Sequence, residues 1–135
     1  MKEQKSGRSE PAKEVDALAN AVIGAAIEVH RILGPGFLES VYEEAMCVEL
    51  KLRGMLFVRQ SPISLNYKGH PVGKGQLDFL VGEKLIVELK AVDALADVHM
   101  AQVLSYLRIT GHALALLMNF NVAVLKDGIK RVVLS

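Results

Sequence analysis

The chain has 135 residues, of which 51% are apolar and 23% are charged, as is typical of one compact globular domain. A formal net charge of +1 neither indicates nor excludes nucleic-acid binding. The single cysteine, Cys47, excludes an internal disulfide and a cysteine-rich zinc site. Its position in an apolar helical pattern predicts a buried core residue in a reducing compartment.

The first twelve residues are polar and lack the apolar stretch that a signal peptide requires. We therefore expect a flexible tail over residues 1–12 and a single domain over residues 13–135. The richest apolar run, ALALLM at residues 113–118, is far shorter than the roughly 18 residues that span a bilayer. These features predict a soluble, cytoplasmic protein with no membrane partner.

Two helices are predicted in the first part of the chain. Apolar residues recur at intervals of three and four over residues 15–33 and again over residues 38–53. Gly34-Pro35-Gly36 predicts a sharp corner between the helices, because glycine takes left-handed conformations and proline cannot continue a helix. Gly54 is the predicted end of the second helix.

The pattern changes to strand after residue 55. Alternating apolar residues and β-branched side chains predict strands near residues 56–66, 72–81 and 85–92. The turns between them, residues 67–70 and 82–84, are short enough for hairpins. The three strands are therefore expected to form an antiparallel meander.

Helical periodicity over residues 93–110 predicts a third helix, with Asp97 as its N-cap and Gly111 as its end. A strand at residues 113–120 follows. A terminal hairpin is then predicted, in which residues 122–125 pair with residues 129–134 around Lys126-Asp127-Gly128. The whole order predicts an α/β fold of the α+β type, with a three-stranded antiparallel meander and further strands flanked by helices.

Three charged residues of the predicted meander suggest a metal site. Strand alternation places Glu88 and Lys90 on the same face. A hairpin centred on Glu83 would place Asp78 opposite Glu88, with Cβ atoms about 4.5–5.5 Å apart. Two carboxylates at that distance repel each other unless a cation lies between them, and Mg²⁺ prefers such oxygen ligands. Lys90 would then act on a metal-bound water or on an anionic transition state.

The alternative is that these three side chains merely occupy the solvated face of a hairpin, with Lys90 paired to a carboxylate. Two polar stripes on the neighbouring predicted helices favour the metal site instead. The first stripe consists of His99, Gln102 and Tyr106, and the second of Glu39, Tyr42 and Glu43.

The run LGPGFLESVYEEA contains Gly36, Glu39 and Tyr42 at the spacing of a known signature, and DFLV, VELKAV, AQVLSYL and NF follow it. In these motifs the chain resembles the GxxExxY proteins over roughly residues 15–133. That family is similar to the PD-(D/E)XK nuclease superfamily. The superfamily core of helix, antiparallel meander, helix and strand fits the predicted order, so the resemblance implies a restriction-endonuclease-like fold.

The resemblance also implies roles for individual residues. Asp78 and Glu88 correspond to the metal-binding acids of the superfamily, and Lys90 to its catalytic lysine. Glu39 resembles the acid that the preceding helix contributes to the metal shell. Leu77 stands where the superfamily name has proline, at a position that tolerates substitution.

Gln102 and Tyr106 match the QxxxY pattern of RecB-type nuclease domains, in which this helix lines the cleft. They would orient the lysine, the water or the scissile phosphate. The resemblance implies metal-dependent hydrolysis of nucleic-acid phosphodiester bonds, with Mg²⁺ as the cofactor and Mn²⁺ as its substitute. DNA is the favoured partner over RNA.

Two other functions are compatible with the same residues. One is a catalytically silent module that keeps the fold and binds nucleic acid or a protein, and the other is a different metal-dependent enzyme. The retained carboxylates and lysine favour the nuclease. The small size of the chain suggests a homodimer, with helix one or the terminal strand as the interface.

Basic residues that could follow a phosphate backbone are scattered along the chain, and the sequence does not indicate which of them lie beside the site. They are Arg31, Lys68, His70, Lys74, His99 and Arg108.

Overall fold

The computed structural model describes residues 12–134, so the predicted tail lies outside the described residues except for Ala12. The elements are α1 (Lys13–Leu33), α2 (Glu39–Leu52), β1 (Phe57–Tyr67), β2 (His70–Val81), β3 (Leu85–Lys90), α3 (Asp97–Thr110), β4 (Leu114–Asn119), a 3₁₀ turn (Leu125–Gly128) and β5 (Ile129–Val132). Within this part of the chain, no helix combines the length and apolar character needed to cross a bilayer.

The strands form a five-stranded sheet in the order β1-β2-β3-β4-β5. β1, β2 and β3 are joined by tight turns and pair antiparallel, which confirms the predicted meander. β4 pairs parallel with β3 because α3 connects them, and β5 pairs antiparallel with β4. The predicted α+β fold class is confirmed.

Helices cover both faces of the sheet. α1 and α2 pack on one face, where Val22, Met46 and Val87 belong to one buried cluster, and α3 packs on the other, where Val103 and Ile86 belong to a second cluster. The central strands β3 and β4 are consequently buried along almost their whole length. Because Ile86 lies on the α3 face, alternation places Glu88 and Lys90 on that same face.

Tyr42 fixes the corner between α1 and α2. Its hydroxyl donates to the carbonyl oxygen of Gly34 at 2.6 Å and accepts from the backbone N–H of Phe37 at 3.2 Å. Its fully buried ring stacks on Phe120 with 4.7 Å between centroids. The tyrosine of the signature therefore has a structural role, since it holds the corner from which α2 starts and so positions Glu39.

The predicted terminal hairpin is wrong. Residues 121–124 form bends, and β5 pairs with β4, as in the pair Met118 and Ile129. The reason is a tight approach of Gly128 to the carbonyl oxygen of Asn119, where a Cβ would not fit. The Lys-Asp-Gly run therefore lies in a 3₁₀ turn that returns the chain to β4.

The predicted N-cap of α3 is also wrong. Ala96 is the N-cap, and its backbone N–H donates to Nδ1 of His99 at 2.9 Å. Asp97 is the first residue of the helix, where its negative charge interacts favourably with the positive end of the helix dipole. Gly111 ends α3 in the left-handed conformation, as predicted.

Candidate active site

The strands β2 and β3 separate beside Asp78 and Glu88. Backbone pairing between them runs from Val81 and Leu85 to Phe79 and Val87, in the predicted register. The next pair in this register would be Asp78 with Glu88, and the ladder ends before it. Sequence reasoning therefore predicted the correct alignment of the two acids, but not the opening of the sheet between them.

The two carboxylates replace the missing ladder hydrogen bonds. The backbone N–H of Asp78 donates to Oε2 of Glu88 at 2.7 Å. In return, the backbone N–H of Leu89 donates to Oδ2 of Asp78 at 2.8 Å. Each acid is thus bound to the opposite strand by a short hydrogen bond, so the backbone holds the two side chains next to each other.

β2 and β1 are both irregular at this point. Leu77 packs in the α3 cluster and Phe79 in the α1/α2 cluster, although alternation would place residues two apart on one face. On β1, Gln60 adopts a positive φ of 51° and is skipped in the pairing with β2. A positive φ is uncommon for a residue other than glycine, and such residues recur at functional sites.

Gln60 connects the site to α2. Its side-chain amide donates to Oε1 of Glu43 at 2.9 Å and lies 3.5 Å from Oδ1 of Asp78. Glu43 also pairs with Arg59 of β1. The sequence carries no signal for Gln60, because its place depends on the irregular backbone. Glu43 could be found only as a member of the polar stripe of α2.

Burial changes the acid–base properties of both central carboxyls. Glu88 is only 3% exposed, and burial together with the negative charge of Asp78 raises its pKa to about 8. The pKa of half-buried Asp78 is also raised, chiefly by burial and then by Glu43, against the hydrogen bond from Leu89. The site therefore holds two adjacent carboxyl groups that resist simultaneous ionisation.

Glu39 and Lys90 complete the charged cluster. Glu39 is the first residue of α2, and its pKa is raised by burial and by the charge of Asp78, while Lys90 opposes the shift. Among residues 12–134, no lysine or arginine forms an ion pair with Asp78, Glu88 or Glu39. The alternative in which Lys90 forms an ion pair with one of these carboxylates is therefore not observed among the described residues.

Asn119 holds the chain just after Lys90. Its buried side-chain amide donates to the carbonyl oxygen of Val92 at 2.9 Å and accepts from the backbone N–H of the same residue at 3.1 Å. The backbone N–H of Phe120 also donates to the carbonyl oxygen of Lys90 at 2.9 Å. These contacts give the NF motif a positioning role at the end of β3.

The polar stripe of α3 is divided between different roles. Tyr106 is half-buried near the carboxyls. The pKa of its phenol is raised, chiefly by burial and then by the negative charges of Glu88 and Asp78. Gln102, one turn earlier, is exposed and forms no hydrogen bond with another described residue. His99 caps its own helix. The structure thus brings Tyr106 to the acids, whereas Gln102 is exposed on the same helix and His99 is engaged at its start.

The donor set suits a hard divalent cation. Asp78, Glu88 and Glu39 offer only oxygen ligands, and a cation between them would relieve the repulsion that raises their pKa values. Over residues 12–134, no three side chains of Asp, Glu, His or Cys already lie close enough together to hold an ion.

Comparison with known proteins agrees with this architecture. A family model of the PD-(D/E)XK nuclease superfamily matches residues 16–132. No curated protein and no solved structure matches the chain. Membership of the GxxExxY family stays a prediction from the signature around Glu39 and Tyr42. With almost the whole chain matched and the paired acids on a split meander, the protein belongs to the PD-(D/E)XK nuclease superfamily.

Proposed function

We propose that the protein is a Mg²⁺-dependent nuclease of the GxxExxY type that hydrolyses phosphodiester bonds in DNA. The observation that carries the proposal is the pair of adjacent carboxyls, half-buried Asp78 and buried Glu88, each bound to the opposite strand where the sheet opens. Such a pair is electrostatically unfavourable for a purely structural role, because burial penalises both negative charges. A divalent cation would remove that penalty.

The proposed mechanism assigns the carboxyl groups to metal binding. Asp78, Glu88 and Glu39 would hold the ion, with Mn²⁺ able to replace Mg²⁺. When bound, Mg²⁺ supplies a lowered pKa for a coordinated water and neutralises phosphate charge. The hydrogen bonds to the backbone keep the two central acids in place before substrate arrives, which reduces the reorganisation needed during the reaction.

Lys90 and Tyr106 would act on the substrate phosphate. The ammonium group of Lys90 would orient the attacking water and stabilise negative charge on the phosphate. A phenol with a pKa near 10 is protonated at neutral pH. Burial raises the pKa of Tyr106 further, so its hydroxyl would serve as a hydrogen-bond donor. Gln102, exposed one turn away on α3, would contact the phosphate or its neighbour only with substrate bound.

A cleavage assay tests the proposal. Labelled single- and double-stranded DNA and RNA are incubated with Mg²⁺, Mn²⁺ or EDTA and with wild type, Glu88→Gln or Lys90→Ala. We expect metal-dependent cleavage of DNA that falls by roughly 10²-fold or more in both variants. The matched control is Lys84→Ala, which removes an exposed lysine at the other end of β3 and should leave cleavage unchanged.

The outcomes separate the candidate functions. Loss of cleavage in both site variants but not in the control supports the nuclease and identifies its substrate. Binding without cleavage by the wild type would contradict the nuclease and support a catalytically silent module. Homodimerisation and cytoplasmic location remain predictions from the sequence, and light scattering on the purified protein tests the first of them.

A further inference from the structure

The hairpin of β1 and β2 extends beyond the rest of the sheet. β3 pairs with β2 only from Phe79 to Val81. β1 and β2 continue to pair with each other as far as Tyr67 and His70. Residues 61–77 therefore form a two-stranded arm, the β1–β2 arm, which begins at the irregular pair Gln60 and Asp78 of the candidate site.

The two faces of the β1–β2 arm differ in character. One face is directed at α3, since Ile63 packs against the α3 cluster and a Cβ on Gly75 would lie 3.5 Å from Cε1 of Tyr106. The opposite face carries exposed side chains, among them Ser64 and its partner Lys74. At the tip of the arm, Tyr67 and its partner His70 are also exposed. The arm is thus anchored beside the site on one face and open to solvent on the other.

The β1–β2 arm is cationic. Residues 61–77 contain Lys68, His70 and Lys74 but no aspartate or glutamate. Neither lysine forms an ion pair with another described residue. The Nζ of Lys68 lies 5.5 Å from the ring centre of Tyr67, which is itself 62% exposed at the tip of the arm. This concentration of uncompensated positive charge favours an anionic partner.

Two other basic residues considered from the sequence are engaged elsewhere. Arg31 forms a two-pronged pair with Glu28 on α1, with both N–O distances at 2.9 Å. His99 accepts a hydrogen bond from Ala96 at the start of α3. Lys68 and Lys74 have no such partner among the described residues, and they lie on the hairpin that leads directly to the candidate site.

We propose that the β1–β2 arm binds the phosphate backbone of the DNA that the site cleaves, an inference that rests on the proposed function. Lys74 is four residues from Asp78 along an extended strand, or about 13 Å, and the tip of the arm is about 26 Å away. With a rise of about 3.4 Å per base pair, the arm spans roughly eight base pairs of duplex. The exposed ring of Tyr67 offers a surface for a sugar or a frayed base at the far end.

The test compares two double variants that remove equal charge. Lys68→Ala/Lys74→Ala alters the β1–β2 arm, and Lys51→Ala/Lys126→Ala removes two exposed lysines from α2 and from the 3₁₀ turn. Binding of a fluorescently labelled DNA duplex of about 30 base pairs is followed by anisotropy in EDTA over a range of NaCl concentrations, so that cleavage does not interfere. All four lysines are exposed, and thermal unfolding confirms that the variants are folded.

The slope of log Kd against log salt concentration decides the matter. We expect the slope of the arm variant to be about 1.8 units smaller than that of the wild type, because two phosphate contacts are lost. The control variant should keep the wild-type slope. In cleavage assays the arm variant should raise KM and leave kcat unchanged, because it does not touch the carboxyls or Lys90.

The results distinguish this inference from the proposed nuclease activity. An arm variant that keeps the wild-type slope, while wild type cleaves DNA, overturns the role of the arm and leaves the nuclease standing. A reduced slope without cleavage by the wild type supports the arm and contradicts the nuclease. Absence of duplex binding by the wild type overturns the role of the arm, and the cleavage assay on single- and double-stranded DNA then decides the nuclease separately.

Discussion

Glu88→Gln is expected to stabilise the metal-free protein at alkaline pH. The substitution keeps the size of the side chain and an oxygen that can accept the hydrogen bond from the backbone N–H of Asp78. It removes a charge that is almost completely buried beside a second carboxylate. The gain in free energy of unfolding should therefore appear where Glu88 is forced to ionise.

The pKa of Glu88 sets the magnitude and the sign of this change in the free energy of unfolding. Its value rises from 4.5 to about 8 on folding, so the folded state favours the protonated form. This contribution to stability is fully present below about pH 4.5 and is lost as the pH rises through about 8. At about 1.4 kcal/mol per pKa unit, ionised Glu88 destabilises the fold by ~5 kcal/mol, a large share of the 5–15 kcal/mol that stabilises a typical domain.

Urea denaturation in EDTA measures the effect. We expect Glu88→Gln to raise the free energy of unfolding by less than about 1 kcal/mol near pH 5, and by about 4–5 kcal/mol near pH 9. Glu83→Gln is the matched control, because Glu83 is exposed in the turn between β2 and β3 and its loss should change stability little at either pH. A gain that does not depend on pH, or a loss at pH 9, would refute the reasoning.

Three further predictions follow from the same contacts. At one hundred times its Kd, Mg²⁺ should stabilise the wild type near pH 8 by about 2.7 kcal/mol. Differential scanning fluorimetry should show this as a higher Tm, and Asp78→Ala should show no such rise. Tyr42→Phe removes the hydroxyl that holds the corner between α1 and α2, and urea denaturation should show a loss of about 1–3 kcal/mol. Asn119→Ala leaves Val92 without its side-chain partner, and it should lower stability by about 2–3 kcal/mol and also reduce kcat in the cleavage assay.

Local pattern predicted much of the fold because it acts over short distances. Helical periodicity found α1, α2 and α3, and glycine positions such as Gly54 and Gly111 indicated where helices end. Alternation with two short turns predicted the meander and the alignment of Asp78 with Glu88, since both depend only on the geometry of one hairpin. The terminal hairpin failed because the position of Gly128 depends on its contact with Asn119, which is remote from the turn itself.

The chemistry of the site depended on contacts between elements distant in sequence. Residue types and spacing alone predicted that two acids and Lys90 would lie close together. Only the packing of helices on both faces of the sheet decided that Glu88 is buried, and hence that its pKa is raised. Only the opening of β2 from β3 decided that the acids bind backbone N–H groups. Only the length of the β1–β2 pairing decided that Lys68 and Lys74 lie on an arm that begins at the site. Burial and dielectric environment are properties of the assembled layers, whereas alternation and turn type are properties of the local chain.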